Sequence, residues 1–243
     1  MSRDQRPLRA VPAGVLAALS LCLAAQTAWQ WTRGPASFGD SPLPPAPRAE
    51  ALRLAGLGEN GAAARLAMLY LQSFDLRGDN NVPYQRLDYG VLLAWLRAIV
   101  DTDPRSQYAL FSAARLYAEI PDEAKSLRVL EFVYQEYFKD PERRWPWLAH
   151  ASLLAKHRLR DLPLARRYAA AIDRYTKDPT VPSWARQMEI FILEDMNELE
   201  AAKVMIAGLL ASGRLTDPAE IRFLKERLEE LEKRLAAGQP EKP

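Results

Sequence analysis

Residues Glu50–Leu71 read EALRLAGLGENGAAARLAMLYL, and their interpretation decides the fold. Gly56, Gly58 and Gly61 stand in the spacing G-x-G-x-x-G, the fingerprint of a loop that cradles the phosphates of a dinucleotide. That chemistry needs a buried strand before the glycines, a helix after them and a parallel sheet around them. The preceding segment is proline-ended, then rich in Ala, Leu and Arg, with no β-branched residue. Leu52, Leu54, Ala55 and Leu57 suit a short amphipathic helix, and AAARLAMLYLQSF after Gly61 suits another. Glycine and asparagine are what a tight turn between helices requires, because both tolerate left-handed backbone. The stretch is therefore read as a helix–turn–helix, and no nucleotide or other cofactor is expected.

The same reading extends downstream. Asp-Pro recurs at Asp103-Pro104, Asp140-Pro141, Asp178-Pro179 and Asp217-Pro218, at spacings of 37, 38 and 39 residues. Aspartate can cap a helix and proline can occupy its first turn, so each pair is expected to open a helix. Each intervening segment holds two helical patterns split by a short breaker: IPDEA, LRDLP and DMNEL. Apolar residues return at three- and four-residue steps, as in Leu110, Ala114 and Tyr117, and no stretch alternates with period two. Punctuation at this period signals stacked two-helix units. After Asp217, which caps a last helix unless Thr216 does, Glu220 is placed for a capping interaction. Ile221, Leu224, Leu228, Leu231 and Leu235 form a stripe about two heptads long. It suits a helix that covers the last unit, or else a dimeric coiled coil.

With these features the chain resembles the tetratricopeptide repeat family. Leu110 with Ala114 and Tyr117, and Trp147 with Ala151 and Leu154, follow that family's aromatic-plus-small pattern. Trp184, Met188 and Phe191 follow it loosely, and units of 37 to 39 residues exceed the family's 34. The resemblance implies an all-α, tetratricopeptide-like solenoid of about four helix hairpins over residues 49–216, with a capping helix at 217–236 and a tail at 237–243. It also implies a protein or peptide partner bound in the groove formed by the first helices. Carried over residue by residue, it points to Tyr108 and Arg115, Trp145 and Ser152, and Glu189.

Upstream, Val11–Trp31 is 21 residues without a charge, about the length of a membrane-spanning helix. Arg3, Arg6 and Arg9 precede it and Trp29 and Trp31 close it, so residues 1–10 are expected in the cytoplasm and the bulk outside it. The reading adopted is an uncleaved signal anchor over 11–31 in a bacterial inner membrane. Signal cleavage after Cys22-Leu23-Ala24 is a marginal fit, and lipoprotein processing at Cys22 would want a small residue where Leu21 stands. Residues 32–48 hold five prolines and are expected to be a semi-rigid spacer, extended as polyproline II.

Composition bounds the chemistry. A net charge of +2 provides no field for a polyanion, and nucleic acid is not an expected partner. The one cysteine, Cys22, and the two histidines, His150 and His157, exclude a disulfide and a Cys- or His-rich metal site. His150 is expected at a packing position, as a histidine of the core or of the groove edge. Eight basic and three acidic residues between Lys139 and Arg167 are answered by Glu189, Glu194, Asp195, Glu198 and Glu200 in the next unit, so the two are expected to pair or to face water rather than to bind a polyanion. Arg77-Gly78-Asp79 is taken as a chance match to an adhesion tripeptide. No P-loop, G-x-S-x-G or H-E-x-x-H occurs, and no catalytic residue is nominated. The function expected is a membrane-anchored scaffold in secretion or envelope assembly. Its alternatives are a homo-oligomer built through the last helix, or an enzyme with a carboxylate pair that leaves no motif.

Overall fold

The computed structural model describes residues 11–32, 42–75, 84–213, 215 and 217–237. The N-terminal decapeptide, residues 33–41 of the spacer, the Arg77-Gly78-Asp79 triplet, Thr216 and the tail from 238 lie outside the described residues. Among those described there are twelve α-helices and no strand. The chain divides into two units, Met1–Ser41 and Pro42–Pro243. The first contains α1 (Ala13–Thr32), whose side chains are all unburied. It is the one helix among the described residues long and apolar enough to cross a membrane.

The second unit begins earlier than the proline count implies. Leu43 is buried in the core, and Trp95 Nε1 donates to the Pro44 carbonyl at 2.8 Å. Four of the five spacer prolines, Pro42, Pro44, Pro45 and Pro47, therefore belong to a segment that packs on the helices. Proline suits such a docked strap, because it has no N–H to leave unsatisfied.

The helices α2 (Ala49–Ala55) and α3 (Asn60–Gln72) form the hairpin expected around the glycines. A Cβ on Gly56 would meet the Ala63 Cβ at 2.8 Å, so glycine lets the two helices approach. Gly58 takes a φ of 96°, which other residues rarely adopt. The motif is a turn.

Then follow α4 (Tyr89–Thr102), α5 (Tyr108–Ser112) running into a π-turn at Ala113–Tyr117, and α6 (Glu123–Tyr137). Next come α7 (Pro141–His157), α8 (Leu162–Tyr175), α9 (Ser183–Arg186) and α10 (Met188–Asp195), then α11 (Leu199–Ala211) and α12 (Pro218–Ala236). Successive helices pack as pairs: α3 on α4, the π-turn on α6, α7 on α8, and α10 on α11. The second member of each pair also packs on the first member of the next, as in α4–α5, α6–α7 and α8–α10.

All three breakers fall between helices. Asp122 and Asp161 cap α6 and α8 by accepting from Lys125 N and Leu164 N. Arg160 and Asn197 take the left-handed position that glycine commonly fills. The Asp-Pro pairs divide into two kinds. Asp140-Pro141 and Asp217-Pro218 open α7 and α12 as expected. Asp103-Pro104 and Asp178-Pro179 instead form turns several residues before the next helix, with Asp103 Oδ1 accepting from Arg105 N and Asp178 Oδ1 from Thr180 N.

Those turns are held by charged groups of the neighbouring unit. Arg144, almost wholly buried on α7, donates to the Pro104 carbonyl at 3.2 Å, the Glu136 carbonyl at 2.6 Å and Glu136 Oε2 at 3.0 Å. Glu142 accepts from Lys177 N at 2.7 Å and Asp178 N at 2.9 Å. Two of the five acids pair with the preceding basic unit, Glu189 with Arg166 at 3.0 Å and Asp195 with Lys156, while Glu194 turns to Arg227 of α12.

A main core runs from Leu43 to Ile192, and a separate cluster joins α10, α11 and α12. Leu224 and Leu231 are fully buried in that cluster, with Leu228 and Leu235 packed on it, so the stripe of α12 is used within the chain. Glu220 reaches across to Gln187 Nε2 rather than back to its own helix end.

Candidate protein-binding face

The helices α5, α7 and α9 meet at two furrows, each carrying an aromatic pair. In the first, the Phe111 and Trp147 rings lie edge to face at 5.5 Å. Trp147 is fixed by a bond from its Nε1 to Gln107 Oε1 at 2.7 Å. In the second, Trp145 and Trp184 meet edge to face at 5.6 Å. Trp145 and Trp147 are two residues apart on a helix, so they leave opposite flanks of α7, one toward each neighbour. Between those flanks the open side of α7 carries the exposed Leu153.

The first furrow has a polar end. Arg115 Nη1 donates to His150 Nδ1 at 3.4 Å, and His150 Nε2 lies 3.1 Å from Glu119 Oε1. Arginine can only donate, so Nδ1 accepts and the imidazole proton sits on Nε2, facing the carboxylate. His150 is thus partly buried at the edge of the furrow, bridging Arg115 and Glu119, rather than packed in the core. Burial holds its pKa below the ordinary imidazole value, the Arg115 charge adds to that, and the Glu119 bond opposes it.

The five residues expected to line a groove fare differently. Tyr108 is exposed, and its hydroxyl donates to Gln72 Oε1 on α3 at 2.8 Å. Arg115 and Trp145 take the positions just described. Glu189 is largely covered, because Arg166 of α8 holds it at 3.0 Å. Ser152 cannot touch a partner: it is 0% exposed, and its hydroxyl donates to the Ala165 carbonyl at 2.8 Å inside the α7–α8 interface.

The error at Ser152 has a geometric cause. Leu110, Ala114 and Tyr117 are fully buried, and so are Leu148, Ser152 and Ala155, each 38 residues further on. Matching Trp147 to Leu110 uses 37 and rotates α7 by one position. With the offset of 38, Ser152 corresponds to Ala114, and the exposed Leu153 corresponds to Arg115. Sequence reasoning therefore missed Phe111, Leu153 and Trp184. The tryptophans at 147 and 184 were the signal, had they been read with Trp145 as furrow residues rather than as part of the buried repeat pattern.

A depression of about 540 Å³ lies among α4, α6 and α8, where Arg167 pairs with Glu131 at 2.6 Å and covers the Tyr134 ring at 4.3 Å. Among the described residues, one carboxyl has the raised pKa that an enzyme reading looks for. Asp75 is pushed up to about 6 by burial while accepting from Tyr117 Oη at 2.8 Å, in the turn that follows α3. Comparison with protein-family models, curated proteins and solved structures gave no match.

Proposed function

We propose that this chain is a membrane-anchored scaffold that binds a peptide or protein segment along the face formed by α5, α7 and α9. The observation that carries the reading is the pair of aromatic furrows. Phe111 and Trp184 remain about half exposed beside two indoles, although a compact helical unit has ample core to bury them. Half-exposed aromatics held rigidly by neighbours are the side chains that most often anchor a protein interface. Arg115 and Glu119 at one end supply charges for orientation.

In this reading the paired helices form a tetratricopeptide-like solenoid, the first helices line its concave side, and α12 closes the end. The pair-to-next-pair packing and the recurrence of Leu110, Ala114 and Tyr117 at 148, 152 and 155 support it. The helix α1 anchors the scaffold with its N-terminus in the cytoplasm and the helical unit in the extracytoplasmic space, as the upstream arginines favour.

The test is photo-crosslinking in intact cells, with probes at Arg115, Leu153 and Trp184 and comparison probes at Leu127 on α6 and Tyr175 on α8. One protein captured from the first set and not from the second is the expected result. An identical background from both sets would end the proposal.

A further inference from the structure

The turn between α2 and α3 has a property that a simple turn does not need. Between Gly56 and Gly58 stands Leu57, 93% exposed, in the left-handed region at φ 49°. A leucine is disfavoured there twice: its Cβ crowds the following carbonyl, and its side chain is surrounded by water. Asparagine would suit both the backbone and the solvent. Leu54, one turn earlier, is 77% exposed, and Leu66 and Leu69 stand on the open side of α3. Of the fourteen large apolar side chains exposed beyond α1 among the described residues, five lie between 54 and 70. Beside the turn is an apolar depression of about 400 Å³, lined by Leu52, Ala55, Gly56, Ala62, Leu66 and Tyr70.

The position of this hairpin in the chain indicates what covers it. Only nine residues separate Thr32, the end of α1, from Pro42, where the helical unit begins. Fully extended, nine residues reach about 30 Å. Leu43 and the Pro44 carbonyl are fixed to the unit, so the strap cannot lengthen the tether without unpacking. Whatever surface α1 enters, these nine residues tether the unit to it through the strap that leads into α2, at a local concentration that makes weak insertion effective. The exposed charges nearby, Arg48, Arg53 and Arg65 against Glu50 and Glu59, are nearly balanced, so apolar insertion rather than attraction to anionic lipid governs the contact.

We propose that the α2–α3 hairpin docks on the bilayer that α1 spans, with Leu54 and Leu57 entering the boundary between headgroups and acyl chains. This rests on the anchored reading above. It converts the proline-rich strap from a spacer that lifts the unit into a device that holds one end of it down.

The test uses the full chain carrying Cys22→Ser, reconstituted in phosphatidylcholine–phosphatidylglycerol vesicles with or without brominated acyl chains. An environment-sensitive fluorophore is placed through Leu19→Cys in α1, Leu57→Cys at the turn or Glu229→Cys on α12. Brominated lipid is expected to quench the probes at 19 and 57 and to leave 229 bright. A probe at Ala62→Cys should also be quenched, and lose that quenching in the Leu54→Gln/Leu57→Gln background, which separates leucine insertion from attraction by the dye. Quenching at 19 with position 57 open to aqueous iodide, as 229 is, overturns docking and leaves the anchor standing. A position 57 shielded from both quenchers means that protein covers it, which also overturns docking. Loss of quenching at 19 as well as 57 overturns the anchor together with the docking.

Discussion

A Cβ built on Gly56 would meet the Cβ of Ala63 at 2.8 Å, whereas one on Gly61 meets only Asp103 Oδ2, at 3.4 Å. Alanine has no rotamer with which to withdraw, so Gly56→Ala must move α2 or α3. It is expected to cost about 1–3 kcal/mol. Gly61→Ala lies in the first turn of α3 and is expected to stabilise by about 0.5 kcal/mol through helix propensity. Urea unfolding of the detergent-solubilised chain measures both, and equal effects of the two substitutions would refute the packing account. Two titrating groups set opposite pH slopes. The lowered pKa of His150 means that the unfolded chain takes up a proton near 6.5 before the folded one does, so its contribution is present above that pH and is lost as pH falls. Asp75, raised to about 6 against 3.8, acts the other way: its contribution is present below 3.8 and is lost as pH rises through 6. Melting temperatures followed from about pH 7.5 to about pH 5.5 should therefore fall less in His150→Gln than in the parent chain. Asp75→Asn should raise the melting temperature at the upper end of that range.

At the scale of elements, α12 completes a small core that is distinct from the main one. Its Leu224 and Leu231 cover Leu193, Leu199 and Ile206. Leu224→Asp would bury a carboxylate there and is expected to cost about 3 kcal/mol or more. Because the main core does not include α12, the loss should stay local. Limited proteolysis should open the 196–198 loop and the stretch before α12 while a fragment ending near Asp195 persists. A fall in mass on sedimentation without new cleavage would instead favour a stripe shared between copies. Elements were legible in the sequence where local chemistry is strong: the three breakers, the openings of α7 and α12 at Asp140-Pro141 and Asp217-Pro218, and the apolar steps through Leu110, Ala114 and Tyr117. Register was not, because a π-turn after Ser112 and units of unequal length shift the buried face by one residue. A one-residue shift rotates a helix by about 100°, which is enough to put Ser152 in the core and Leu153 in water. The clamps Arg144 and Glu142 were equally hidden, since nothing local distinguishes a charge that reaches a backbone turn of a neighbouring unit from one in solvent.

At the scale of the whole molecule, the chain joins an uncharged, wholly unburied helix to a helical unit whose 29 basic and 29 acidic residues balance. Orientation therefore depends on the few charges next to α1. Arg3, Arg6 and Arg9 stand against Asp4 before it, while Arg33 alone follows within the next several residues. That imbalance favours retention of the N-terminus in the cytoplasm, because translocating arginine is the costly step. A single cysteine on α12, Glu229→Cys in a Cys22→Ser chain, gives a direct reading. A membrane-impermeant maleimide should label it in intact spheroplasts. Replacing the three N-terminal arginines with glutamine and placing three lysines after Thr32 reverses the bias, so labelling should then require detergent. Failure to label the parent chain without detergent would put the helical unit in the cytoplasm. The aromatic furrows of α5, α7 and α9 would then serve a cytoplasmic partner, and the hairpin at Leu57 would face the inner leaflet.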